Sequence, residues 1–310
     1  MCNVAVGTGG VNAESPLPAD RGVPQAAISR RSAMLADLMP ACRTLRILRA
    51  RPIAAGLLAL ILGLGSASTV AAVDADAFGR YRTADADAIA YRAMQTAGRR
   101  HGELLPLIVF MHGSGQNGSD NESQLQGHAN GALELVDAAQ ANGIPLVFVA
   151  PQVDRDYWPP ALIAAVVNDA LQRFPVDPRR IVLTGLSDGG TGVWATLKAY
   201  PRCFAAGIPM SGMTELAGLA SIRDVPQWIF HGAMDNDTDI ETGYGGATLG
   251  SRAVVRALRA MGGHPRYTEY ADAMHVIWPQ AYATDGLLVW ILQRRLNHPP
   301  CDFSSTRTAE

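Results

Sequence analysis

From about residue 88 to residue 295, short and nearly unbroken apolar runs alternate with longer stretches in which apolar positions recur every three or four residues. The runs predict strands at Ala88–Met94, Pro106–Met111, Pro145–Ala150, Arg180–Thr184, Ala206–Pro209, Pro226–Phe230 and Pro265–Glu269. The periodic stretches predict helices at Asn130–Asn142, Pro160–Phe174, Gly190–Ala199, Arg252–Met261 and Ala281–Arg295. A run such as Leu107-Ile108-Val109-Phe110-Met111 has no polar face, as expected of a strand covered on both sides by helices. The alternation predicts an α/β fold, a mostly parallel sheet with helices on both faces. No internal repeat or low-complexity linker divides residues 73–310, which read as one catalytic domain without a large cap.

The segment before that domain reads differently. Arg43, Arg46, Arg49 and Arg51 precede the apolar run Ile53 to Gly65, and small residues follow from Ser66 to Ala72. This order predicts a signal peptide over 39–72, cleaved near Ala72, and export to the periplasm or beyond. The run is too short to span a bilayer comfortably; an uncleaved N-terminal anchor is the alternative to a signal peptide, and after cleavage no membrane association is expected. Residues 1–38 read as a disordered or untranslated leader, with Met34 and Met39 as alternative starts, and Arg30-Arg31 lies too far from the apolar run for a regular twin-arginine signal. The chain has 26 basic and 28 acidic residues, and seven of the arginines fall within 1–72. The exported part is therefore acidic, which excludes a nucleic-acid-binding module on charge grounds. Of four cysteines, Cys203 and Cys301 remain after cleavage. An even pair in an oxidising compartment is compatible with a disulfide, but spacing alone leaves the pairing open. No cysteine or histidine grouping suggests a metal.

The chemistry is concentrated in Gly185-Leu186-Ser187-Asp188-Gly189, a G-x-S-x-G set between a predicted strand and a predicted helix. A strand-to-helix turn this sharp needs nearly bare residues two before and two after the serine, and leaves its hydroxyl exposed above the sheet. A serine nucleophile needs a base and an acid, which in such a fold follow in the order Ser, Asp, His. Asp235 follows the strand ending at Phe230, and His275 follows the strand ending at Glu269. Asp237 is the reserve acid; His264 and His298 are less well placed bases. The spacing Asp235-x-Asp237-x-Asp239 also resembles the start of a calcium loop, but Ile240 and Gly246 stand where that loop needs Gly and Glu. The loop His112-Gly113-Ser114-Gly115-Gln116-Asn117-Gly118 should complete the site. Its backbone N–H at Ser114, or alternatively Gly115, and that of Asp188 would form an oxyanion hole. The loop also matches G-x-G-x-x-G, yet the next strand ends in Ala150-Pro151-Gln152, without the acidic residue that a dinucleotide site requires.

These motifs, with Val176-Asp177-Pro178-Arg179-Arg180-Ile181, His231-Gly232-Ala233-Met234-Asp235 and His275-Val276-Ile277-Trp278, resemble the secreted α/β-hydrolase esterases of the polyhydroxybutyrate depolymerase, feruloyl esterase and "predicted peptidase" group. The resemblance covers about residues 88–295. It implies an α/β-hydrolase fold, a triad of Ser187, Asp235 and His275, an oxyanion hole at Ser114 and Asp188, and hydrolysis of a small or polymeric ester with no cofactor. The chain departs from the group's usual pattern at Asp188, at Gln116-Asn117 and at Asn236-Asp237-Thr238-Asp239-Ile240. Trp158 and Trp278 are candidates to wall the substrate pocket. A peptidase on the same fold is the nearer rival reading; a non-catalytic secreted binding protein is the rival from another class. Asp188 carries a further expectation: its carboxylate should turn from the oxyanion toward solvent or toward a donor such as Arg or Trp.

Overall fold

A computed structural model describes residues 72–84 and 88–303. The signal peptide and leader expected over 1–72 lie almost wholly outside the described residues. The strands are β1 (Gly79–Arg82), β2 (Ala90–Gln95), β3 (Leu105–Met111), β4 (Val147–Pro151), β5 (Val176–Leu186), β6 (Ala206–Met210), β7 (Met213–Glu215), β8 (Trp228–Gly232), β9 (Thr248–Gly250) and β10 (Arg266–Tyr270). The helices are α1 (Gln126–Asn130), α2 (Glu134–Ala141), α3 (Pro160–Arg173), α4 (Asp188–Ala199), α5 (Ser251–Ala260), α6 (Trp278–Tyr282) and α7 (Leu287–Leu292).

Eight strands form one sheet in the order β1-β2-β4-β3-β5-β6-β8-β10. From β4 to β10 every pairing is parallel, whereas β1 and β2 pair antiparallel with each other, and β2 antiparallel with β4. The side-chain period of two divides the core: Leu105, Leu107, Val109 and Met111 of β3 face one cluster, Ile108 and Phe110 the other. The first cluster takes in α3, α4 and α5; the second takes in α2, α6 and α7. This is the predicted doubly covered parallel sheet.

The departures from expectation have local causes. β1 was not foreseen, because Gly-Arg-Tyr-Arg has no apolar run; it pairs only at the sheet edge, where most of its residues are exposed. The predicted helix Asn130–Asn142 starts only at Glu134, because Gly127, His128 and Ala129 wind left-handed, with φ of 58°, 57° and 48°. The predicted helix Ala281–Arg295 is two short helices, α6 and α7, parted by Gly286 at φ 78°. Cys203 and Cys301 are joined, with Cα atoms 5.2 Å apart across a separation of 98 residues, and Phe303 just beyond packs against Phe204 and Tyr200.

Candidate active site

The serine elbow is set by exclusion. Ser187 has φ 55° and ψ −120°, a conformation that costs a non-glycine residue about 1–3 kcal/mol and persists only where the surroundings dictate it. The surroundings are backbone. A Cβ on Gly189 would lie 2.0 Å from the carbonyl oxygen of Met111, and one on Gly185 would lie 2.5 Å from that of Gly189. The two glycines of the motif thus let α4 cross directly over the ends of β5 and β3. The Ser187 N–H donates to Met210 O at 2.9 Å, which ties the elbow to β6.

The candidate acid and the candidate base follow the two strands beyond β6. Asp235 follows β8, and its Oδ1 accepts the N–H groups of Asp237 and Thr238, both at 2.9 Å. Its Oδ2 faces Nδ1 of His275 at 2.7 Å, and Nε2 of His275 faces Ser187 Oγ at 2.9 Å. A carboxylate accepts only, so the His275 proton sits on Nδ1 and Nε2 is free to take a proton from serine. Burial alone would push the Asp235 carboxyl up, but hydrogen bonds from His231, His275 and Thr238 more than offset it and hold the group well below the usual carboxylate range. The His275 loop crosses β8 where only glycine fits, since a Cβ on Gly232 would lie 2.1 Å from Met274 O. Ser211 Oγ donates to His275 O at 2.9 Å, and the Trp278 ring stands edge-on to the imidazole at 5.4 Å. Asp237, the reserve acid, is exposed, as is His264, and His298 is half-buried.

Asp235, Asp237 and Asp239 do not converge on an ion site. Asp235 and Asp239 each cap their own turn, Asp239 Oδ1 accepting the N–H groups of Glu241 and Thr242, so the alternating aspartates encode consecutive Asx turns. Elsewhere, His128, Glu134 and Asp137 bring ligand-type atoms within 4.8 Å of one another, with His128 Nε2 already 2.6 Å from Asp137 Oδ2.

The loop after β3 is organised by His112, a buried imidazole whose Nε2 accepts the Val153 N–H at 3.1 Å. Nδ1 therefore carries the proton and donates to Gly113 O at 2.8 Å. Burial lowers its pKa to about 4, so the ring stays neutral and holds the loop in shape. Trp158 requires a correction: it is 3 % exposed, its indole N–H donates to His112 O at 3.0 Å, and its ring meets the His112 ring at 4.7 Å. It supports the His-Gly loop from below and does not wall a pocket. Trp278, 9 % exposed, is likewise spent mainly on packing behind His275. Gly113 packs against the elbow, where a Cβ would lie 2.8 Å from Leu186 Cδ1 and 3.3 Å from Ser187 Cβ. Ser114 opens a 3-10 turn and Asp188 opens α4. The first N–H of such an element has no partner within it, so neither is spent inside its own helix.

The Asp188 side chain is half-buried, and among the described residues no donor hydrogen-bonds it, so of the two expected directions the one toward an Arg or Trp donor is not taken. Burial and then the charge of Asp156 raise its pKa, opposed by His275. The site residues that sequence reasoning missed are His112, Ser211 and His231. Two lie inside motifs already quoted, but nothing in the order of residues shows that their side chains turn inward.

The prolyl oligopeptidase family model matches residues 162–247, a span that holds Ser187 and Asp235 and stops before His275. Among solved structures, a thermostable esterase is similar at 27% identity and a TM-score of 0.64, over 71% of this chain and 64% of its own; this chain thus spans somewhat less than two thirds of that esterase. A ferulic acid esterase is similar at 14% identity and TM-score 0.52, over 70% of this chain and 98% of its own. An acylaminoacyl peptidase of Pyrococcus horikoshii is similar at 14% identity and TM-score 0.52, over 73% of this chain and 43% of its own. No curated protein matches significantly. The sheet and these similarities define the class: the chain has the α/β-hydrolase fold, and its likenesses are to serine hydrolases. Within that class they run to esterases and peptidases alike.

Proposed function

We propose that the protein is a carboxylic ester hydrolase working through an acyl-enzyme on Ser187. The observation that carries this reading is the continuous line of polar atoms from Ser187 Oγ through both nitrogens of His275 to Oδ2 of Asp235, at 2.9 and 2.7 Å, with the serine forced onto its elbow. His275 Nε2 takes the hydroxyl proton as Oγ attacks the ester carbonyl. The new oxyanion lies against the N–H groups of Ser114 and Asp188, and Asp235 stabilises the imidazolium. His275 then gives its proton to the leaving alcohol. Water, deprotonated by the same nitrogen, attacks the acyl-enzyme and releases the acid.

The likeness to a thermostable esterase and the absence of a large cap insertion between the described strands favour esters. The second reading, a peptidase, is favoured by the prolyl oligopeptidase match through the elbow and acid loop. Turnover of short p-nitrophenyl esters, methyl ferulate and peptide anilides by purified protein separates the two. Ser187→Ala should lower ester kcat by about 10⁴- to 10⁶-fold without changing the circular dichroism spectrum. Retained turnover in that variant overturns the nucleophile, and anilide cleavage faster than ester cleavage overturns the ester reading.

A further inference from the structure

His231, the last-but-one residue of β8, is fully buried and touches Asp235 but not Ser187 or His275 in the hydrogen bonds of the site. Its Nε2 lies 3.0 Å from Thr238 O and 2.9 Å from Asp235 Oδ2, and its Nδ1 lies 2.6 Å from Ser251 Oγ. Both neighbours of Nε2 are acceptors, so that nitrogen carries a proton directed between them. The Ser251 hydroxyl, at the first position of α5, can donate to the unprotonated Nδ1. One oxygen of Asp235 thus has an imidazole on either side, His275 toward the serine and His231 toward the protein interior. The other oxygen is fixed by the turn N–H groups of Asp237 and Thr238.

We propose that His231 is a positioning residue for the reaction: its Nε2–H edge braces Oδ2 of Asp235 and the Thr238 carbonyl together, so that the carboxylate cannot swing away from His275. The turn bonds alone hold Oδ1 and leave rotation about that point free. His231 adds the second point of attachment, and Ser251 keeps the ring from turning over. The remaining charges near the ring are already engaged. Glu269, its register partner on β10, is paired with Arg252 at 2.7 Å, and Asp239 accepts its own turn amides. Asp235 is therefore the carboxylate on which the ring acts, and through it His275.

This inference rests on Ser187, His275 and Asp235 being the working triad. That reading is tested separately, by loss of turnover in Ser187→Ala, before His231 is varied. His231→Leu should lower kcat by about tenfold to a hundredfold with KM changed less than about threefold, because a misaimed base loses rate at unchanged binding. Removing a donor from the carboxylate should also strengthen its hold on the His275 imidazolium and move the acid limb of kcat/KM up by about half a pH unit. His231→Gln, which keeps an N–H near the same place, should recover kcat to within about threefold of the parent. Loss of packing alone would not move the pH limb and would not distinguish Gln from Leu by rate. Should His231→Leu fail to fold, Ser251→Ala decides, with a kcat loss and an upward acid limb expected in the same direction. An acid limb that stays in place or moves down, or equal kcat losses for Gln and Leu, overturns the proposal.

Discussion

The elbow around Ser187 and the turn around Asp235 both hold one functional side chain at the carboxyl end of the sheet, by opposite means. At the elbow, backbone presses on backbone: Gly185 and Gly189 sit where any Cβ would run into a carbonyl oxygen. At the acid turn the positions are held by hydrogen bonds, two from the chain to Oδ1 and two imidazoles at Oδ2. Steric walls do not relax by degrees, whereas a hydrogen-bonded carboxylate can lose partners one at a time. The elbow should therefore fail abruptly under substitution, and the turn should fail in activity well before it fails in folding.

The sharpest break of that contrast is Gly189→Ala. A methyl group 2.0 Å from Met111 O requires α4 or β3 to move, and the expected cost is about 4 kcal/mol or more, read as lost soluble yield or a collapsed thermal midpoint. If Gly189→Ala melts like the parent, the steric account of the elbow is wrong. Asp235→Asn should do the reverse. Its amide oxygen can keep the turn N–H groups, but its NH₂ meets His275 Nδ1 and favours the wrong tautomer, and it also faces the His231 Nε2–H, so kcat should fall about 10⁴-fold in a protein that still folds but melts lower than the parent. A loss below tenfold would remove Asp235 from the triad.

A third measurement addresses neither region directly and so serves as a control on both. Reducing Cys203–Cys301 opens a 98-residue loop closure that is remote from elbow and turn, and should lower the thermal midpoint by about 10 °C while leaving ester turnover at 25 °C within about twofold. Activity that falls along with the disulfide would show that the C-terminal tie reaches the site. The smallest expected effect is at Asp188. Its carboxyl is raised above the unfolded value by burial and by Asp156, so ionising it costs the folded state stability as pH rises from about 4 upward, with no cost below the unfolded pKa. Asp188→Asn should therefore raise the midpoint by about 1–2 °C at pH 7 and not at pH 3, with kcat changed less than about tenfold. A midpoint gain that is equal at both pH values would show that the carboxylate's charge is not the cause.

Much of this molecule could be read before it was folded. The apolar runs at Leu107–Met111 and Ile181–Thr184 placed the central strands, and G-x-S-x-G followed by Asp235 and His275 named a serine-hydrolase order. What could not be read lay at the edges and in the interior. β1 has no apolar run of its own. The left turn at Gly127–Ala129 shortened α2, and Gly286 divided the last helix where periodicity continued across it. Trp158 looked like a pocket wall from its loop, yet its ring lies under the His-Gly loop. The alternating aspartates, whose spacing resembles a calcium loop that Ile240 and Gly246 rule out, serve at 235 and 239 as turn caps.

By itself, then, the sequence determined what is short-range: the period of each buried strand, the bare residues that a sharp turn requires, and the order in which the proposed nucleophile, acid and base occur. Only the tertiary structure decided which side chains meet. It set His275 against Ser187 across 88 residues and against Asp235 across 40, joined Cys203 to Cys301, and turned His112 and His231 inward. The reason is physical. Backbone preferences act within a few residues, whereas a contact between distant residues exists only once helices and strands have packed and nearly all buried polar atoms have had to find partners.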